Sequence, residues 1–282
     1  MGSNPTPGTW FTTSMKNNPI GILDSGLGGL TVLSSIVKEL PEEQFIYIGD
    51  SQNTPYGKKT EEEIYHLSKR LIEFLVQKKV KLIVVACNTI TVSCLDRLRT
   101  DYPDMPIVGT VPVIKTAAAV SKKKRIGILS TTRTAQSDYQ KHLIEEFASD
   151  CVVFNHGTDA LVPLIEQGMR GSDEMATTLR EVLKPFSNEH IDALALGCTH
   201  FPFLEKQMRQ ILGPEIQLLD SGGAIARQVK RVLEHNDSLA TGSDGSLEIL
   251  TTGNTQVAQD LAASVLEEVQ FSVEKVRLNN DK

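Results

Sequence analysis

Cysteine is scarce in this chain of 282 residues: Cys87, Cys94, Cys151 and Cys198 are the only four, and none belongs to a Cys-x-x-Cys pair. That is too few for a disulfide scaffold, and the paired spacing of structural zinc is missing, so no metal is expected. A special cysteine here would act as a thiol, in a reducing, cytoplasmic compartment. Long apolar runs are also lacking. The longest uncharged, apolar-leaning stretch, Leu82 to Leu95, contains Asn88, three Thr or Ser residues and two cysteines, too short and too polar to span a bilayer. Positive charge is in deficit, with 29 Lys and Arg against 35 Asp and Glu for a net charge of -6, so neither a nucleic acid nor an anionic membrane is an expected partner. Residues 1–15 have no basic segment followed by an apolar one, which excludes a secretory signal. Met15-Lys16 reads as a start, and residues 1–15 are expected to be a leader outside the fold. What remains is ordinary globular material, 40% hydrophobic and 23% charged, enough for about two domains.

The chain alternates short apolar runs with helical periodicity. Pro19 to Leu23, Phe45 to Ile48 and Lys81 to Ala86 predict strands. Between them, Leu30, Leu33, Ile36, Val37 and Leu40 predict one helix, and Ile64, Leu67, Leu71, Leu75 and Val76 another. Thr60-x-x-Glu63 reads as a capping box for the second. Such alternation predicts a doubly wound α/β fold with a mainly parallel sheet. A second cycle then begins. Ile126-Gly-Ile-Leu129 repeats Ile20-Gly-Ile-Leu23, and the run ending at Gly197-Cys-Thr199 echoes the one ending at Cys87-Asn-Thr89. Two landmarks at nearly one offset predict an internal pseudo-duplication: two similar α/β domains facing across a central cleft, 16–110 with 222–282 and 111–221. A final helix over Thr255 to Val269 is expected to pack back on the first.

In open α/β sheets the ligand crevice lies beyond the carboxyl ends of the strands. Asp24-Ser25, Asp50, Cys87-Asn-Thr89, Ser130-Thr131 and Cys198-Thr-His200 all fall there. A lone cysteine at a strand end is more often packing than chemistry, and Cys94 and Cys151 read that way. Cys87 and Cys198, duplicated in context, would point into the cleft from opposite sides. Each precedes a predicted helix, whose positive end would favour thiolate. Two opposed thiols suit proton removal from one face of a stereocentre and delivery to the other. Asn88, Thr89, Ser25 and Thr199 are small donors for the carbanion, and Asp24 and His200 are groups that could set each thiol's protonation.

Several motifs occur in order: Gly21-Ile-Leu-Asp-Ser-Gly-Leu-Gly-Gly-Leu30, Pro55-Tyr-Gly57, Ala86-Cys-Asn-Thr89, Val111-Pro-Val-Ile-Lys115, Val162-Pro-Leu-Ile-Glu166, Leu196-Gly-Cys-Thr-His-Phe-Pro202 and Asp220-Ser-Gly222. By these the sequence resembles the bacterial glutamate racemases of the aspartate/glutamate racemase superfamily. The resemblance implies cofactor-independent interconversion of L- and D-glutamate, supplying D-glutamate for peptidoglycan, with Cys87 and Cys198 as catalytic acid/bases. It implies a substrate pocket of Asp24, Ser25, Tyr56, Gly57, Asn88, Thr89, Thr199 and His200, with Glu166 supporting, Asp24 serving the Cys87 side and His200 the Cys198 side. It also implies a homodimer. Two departures stand out: Phe201 replaces the family's usual Tyr, and Asn155 to Leu161 replaces a Cys-Pro-containing segment.

Other readings compete. Gly26-x-Gly28 with Asp50 after the next strand mimics a dinucleotide fingerprint but has Thr31 at its third position. Gly28-Gly29 then reads as close strand–helix packing. A racemase for aspartate or another amino acid is the nearest functional alternative. A catalytically silent binding or regulatory relative, for example one restraining DNA gyrase, is the more distant one.

Overall fold

The computed structural model describes residues 16–111, 113–242 and 245–278; the leader expected over 1–15 lies outside the described residues. The chain runs β1 (Ile20–Asp24), α1 (Leu30–Glu39), β2 (Phe45–Gly49), α2 (Glu61–Gln77), β3 (Leu82–Val85), α3 (Asn88–Asp101), β4 (Ile107–Gly109) and α4 (Ile114–Val120). It continues with β5 (Arg125–Ser130), α5 (Thr132–Gln136), α6 (Asp138–Phe147), β6 (Val152–Gly157), α7 (Leu161–Glu166), α8 (Asp173–Ser187), β7 (Ala193–Gly197), α9 (Glu205–Leu212) and β8 (Gln217–Leu219). The last elements are α10 (Gly222–His235), β9 (Leu247–Thr251), α11 (Thr255–Ala263) and β10 (Ser272–Lys275).

The strands form two sheets, ordered β10-β9-β2-β1-β3-β4 and β6-β5-β7-β8, with every pairing parallel. The fold is therefore α/β, as the alternation predicts. The order β2-β1-β3-β4 in the first sheet is repeated by β6-β5-β7-β8 in the second. The repeated Ile-Gly-Ile-Leu runs are the equivalent strands β1 and β5, and Cys87 and Cys198 follow the equivalent strands β3 and β7. The inner strands β1, β2, β3 and β7 are buried at every position, as strands covered by helices on both faces must be.

Local signals account for the helix boundaries. Thr60 accepts from the Glu63 N–H while the Glu63 carboxylate accepts from the Thr60 N–H, closing the capping box of α2. The buried face of α2 is Ile64, Tyr65, Ser68, Leu71, Ile72 and Leu75. Val76, read as part of that face, is instead 40% exposed. The helix expected over Thr255 to Val269 stops at Ala263, where the Ser264 hydroxyl donates to the Leu261 carbonyl and ends the ladder. β10 then follows and joins the first sheet beside β9.

One apolar cluster runs through both halves. Leu27, Leu33 and Ile36 of the first share it with Val162, Ile165, Leu196 and Phe201 of the second. That continuous core holds the carboxyl ends of the two sheets against each other. Among the described residues no helix is long and apolar enough to cross a membrane.

Candidate active site

Cys87 is the N-cap residue of α3, and Cys198 follows β7 directly. Both line one pocket between the sheets, together with Ser25, Tyr56, Gly57, Asn88, Thr89, Thr199 and His200. Its cavity of about 10 Å³ is roughly the volume one water needs. The site is thus closed, with Cys87 4% and Cys198 6% exposed. Asp24 and Glu166 lie behind this layer, and both are contacted by residues that line it.

The close approach depends on glycine. A Cβ on Gly28 would sit 2.3 Å from His200 Nδ1 and 2.4 Å from Thr199 Oγ1, and one on Gly26 would sit 2.2 Å from Glu166 Oε1. Gly29 alone fits the strand–helix packing reading, its Cβ position lying 2.8 Å from Asp24 Cβ. Gly28 instead lets the β1–α1 turn meet the opposite sheet. The dinucleotide reading fails on the same geometry: that turn is filled by Thr199 and His200. Asp50, the would-be ribose ligand, accepts from Tyr56 Oη at 2.8 Å, Thr252 Oγ1 at 2.9 Å and Asn53 Nδ2.

The two thiols have different neighbours. Cys87 Sγ donates to Ser25 Oγ at 3.3 Å. Burial, and next the charge of Asp24, push this thiol up to about 12, with the Ser25 hydroxyl and the Ile90 N–H partly offsetting them. The expectation that the α3 terminus would favour thiolate is thereby corrected: desolvation outweighs the helix end. Cys198 Sγ lies 3.8 Å from His200 Nδ1, and His200 Nε2 lies 2.6 Å from Glu166 Oε1. Burial pulls the imidazolium down, but Cys198 and Glu166 outweigh it and hold His200 well above its ordinary value. Nor does Cys198 open a helix directly. A 3-10 turn over Phe201–Leu204 intervenes before α9, so its charged neighbour is the His200–Glu166 pair.

Asp24 is fully buried. Desolvation raises its carboxyl to about 6, against the pull of His200 and the N–H groups of Gly29 and Gly26, with Glu166 adding to the rise. Thr199 Oγ1 donates to Asp24 Oδ1 across the sheet boundary at 3.4 Å. Glu166 Oε1 also accepts from the Leu27 N–H at 2.6 Å. One carboxylate therefore links the first sheet's turn to the second sheet's histidine.

Asn88 Nδ2, on a residue 2% exposed, has no hydrogen-bond partner among the described residues, which is costly unless something polar docks there. Pro55, Thr131 and Val162 also line the pocket. Thr131 shares a 3.0 Å hydrogen bond with Thr89. Its position after β5, equivalent to Asp24-Ser25 after β1, was the available sequence signal. Val162 had no signal of its own beyond its motif.

A family model described as Asp/Glu/Hydantoin racemase matches residues 20–229. A glutamate racemase of Clostridium acetobutylicum is 37% identical over 255 residues, spanning 90% of this chain and 99% of that protein. The crystal structure of a glutamate racemase isoform from Bacillus anthracis superposes with a TM-score of 0.81 at 34% identity, covering 93% of this chain and 98% of that one. A glutamate racemase from Francisella tularensis, solved in complex with D-glutamate, gives 0.79 at 28% identity over 94% of this chain and 99% of that one.

Proposed function

The chain belongs to the Asp/Glu/hydantoin racemase family and is an amino-acid racemase, and from that premise we propose that Cys87 and Cys198 interconvert L- and D-glutamate from opposite faces of Cα. The observation that carries the assignment is that two thiols, placed after equivalent strands of two sheets, line one closed pocket.

For one enantiomer, a thiolate on one side takes the Cα proton and the thiol on the other protonates the opposite face. The proton count balances: the product leaves with the thiol and thiolate exchanged, and the reverse reaction starts from that state. Cys87, held protonated by burial and Asp24, is the resting donor. Cys198, beside His200 and Glu166, has the groups to receive a proton and pass charge outward. In this scheme the Asn88 amide, unpartnered among the described residues, and the small donors Ser25, Thr89 and Thr199 would hold the substrate carboxylates; their shared lining of the pocket supports this. Exclusion of water strengthens each of these contacts at the carbanion. No cofactor enters this scheme.

A cavity of about 10 Å³ does not admit an amino acid. Turnover therefore includes separation of the loops beyond β1, β3 and β7 before binding, and their return before chemistry. The two sheets support a division into 16–110 with 222–282 and 111–221, the units that would move. The same reading includes a homodimer in the cytoplasm and D-glutamate supply for peptidoglycan; its scarce, unpaired cysteines support the reducing compartment.

The test is incubation with L-glutamate in deuterium oxide without added cofactor. Loss of optical rotation with deuterium entering C2 is expected. Folded, reduced protein that changes neither would overturn the assignment. Parallel incubation with L-aspartate separates the alternative substrate, for which turnover exceeding that of glutamate would be required.

A further inference from the structure

A second cavity, of about 750 Å³, opens at the carboxyl ends of β2, β9 and β10. Its walls carry Arg70 from α2, Lys275 at the end of β10 and Arg277 just beyond, over a floor of Asp50, Asn53 and Thr252. The volume is that of a small-molecule site. Among the described residues no carboxylate pairs with Arg70, Lys275 or Arg277. Arg70 uses one Nη2 hydrogen to hold the Leu278 carbonyl at 3.2 Å, while its Nε is buried without a partner among the described residues. Asp50 on the floor offsets one of the three formal positive charges, leaving two. It is 1% exposed, and its oxygens are occupied by Tyr56, Thr252 and Asn53. These three cations around one cavity, none paired with a carboxylate among the described residues, belong to a chain of net charge -6; with Asp50 counted they leave two formal positive charges, which an anion lying between them would balance. Two are guanidiniums, whose planar forks match carboxylate or phosphate oxygens.

We propose that this cavity is an effector site for a small polyanion of two or three charges, held by Arg70, Lys275 and Arg277 and coupled to the catalytic pocket through Asp50 and Tyr56. The coupling is short. Asp50 Oδ2 accepts from Tyr56 Oη at 2.8 Å, and Tyr56 is a wall of the catalytic pocket. Asn53 reaches the same carboxylate from the turn between them. An anion that draws the 50–53 turn toward the cations moves Tyr56 with it, and linkage makes the effect reciprocal between the two sites.

Binding is independent of the reaction assigned above; only the kinetic half rests on that reading. Titration calorimetry with citrate and with pyrophosphate is the direct test, since the first presents carboxylates and the second phosphoryl oxygens. At least one is expected to bind once per chain, weakening as salt rises, and the tighter of the two identifies the ligand's chemistry. Lys275→Gln/Arg277→Gln changes two exposed side chains and is expected to weaken that binding at least ~10-fold with basal racemisation unchanged. Arg70→Gln is expected to do the same. In the unsubstituted protein the bound anion is expected to change the KM for glutamate at least about twofold, and glutamate to change the anion's affinity by the same factor. No heat from either probe, or equal heat from the double variant, overturns the site. Binding lost in the variant with no change in KM overturns the coupling. If the racemase reading itself failed, turnover would be absent with and without anion while the titration stood.

Discussion

Asp24→Asn is the perturbation whose size the structure allows to be worked out. The carboxyl has no exposed surface and titrates near 6 rather than 3.8, mainly because burial disfavours its charged form. The sign follows from linkage: a carboxyl raised on folding costs nothing below about pH 4, costs progressively more through 4 to 6, and costs its full amount above about 6. At ~1.36 kcal/mol per pK unit the full cost is about 3 kcal/mol. Asparagine removes the charge but turns one acceptor of the N–H and Thr199 contacts into a donor, losing about 1 kcal/mol. The variant is therefore expected to be more stable than the parent by roughly 1–3 kcal/mol at pH 7.5, with the advantage gone by pH 4. Urea denaturation at the two pH values measures both terms. Racemisation by the variant should fall, since after burial the Asp24 charge is what most raises the Cys87 thiol. A stability difference that does not vary with pH, or a variant less stable at pH 7.5, would refute the reasoning.

The other predictions concern the thiols, the turn and the cap. Cys87→Ser and Cys198→Ser are each expected to lower kcat by at least 10²–10⁴-fold, read by polarimetry; either variant retaining parental turnover contradicts the two-thiol scheme. The parent's kcat/KM should be bell-shaped in pH, its limbs belonging to the coupled pair rather than to single residues, and a flat profile from about pH 6 to 10 would contradict it. Gly28→Ala places a methyl 2.3 Å from His200 Nδ1 and is expected to hold the sheets apart, lowering kcat at least ~10²-fold while circular dichroism stays that of the parent. Thr60→Ala removes the capping box of α2 at an exposed position that does not line the pocket, and should cost ~1 kcal/mol in denaturation with kinetics unchanged.

Much of this protein is legible in its residues taken alone. β1, β3, β5 and β7 are buried runs bounded by polar turns, so composition and periodicity reveal them, and the recurrence of Ile-Gly-Ile-Leu and of Cys-x-Thr or Cys-Thr marks the duplication. The capping box at Thr60 is a contact within one turn and needs no tertiary information. β9 escaped although it is an apolar run buried at four of its five positions; the other strands that escaped are of another kind. β6 and β10 are half-exposed sheet edges, and β4 and β8 are three residues long, so their backbone pairing with a neighbour exists before any hydrophobic signature does. α11 was overextended because the apolar spacing continues past Ala263, where a serine hydroxyl competes for the last carbonyls. The strand-end cysteines were visible, and the resemblance gave Asp24 to one and His200 to the other, but the contacts that make the two thiols unequal were not. Ser25 beside Cys87 and the His200–Glu166 pair beside Cys198 are contacts made by turns and helices far apart in the chain. The proton affinities of Asp24, Cys87 and His200 likewise come from burial, which exists only once the carboxyl ends of two sheets close on one another. Sequence alone determined which groups are carried to the strand ends; the tertiary structure decided which of them hold protons, because desolvation and charge depend on distance in space.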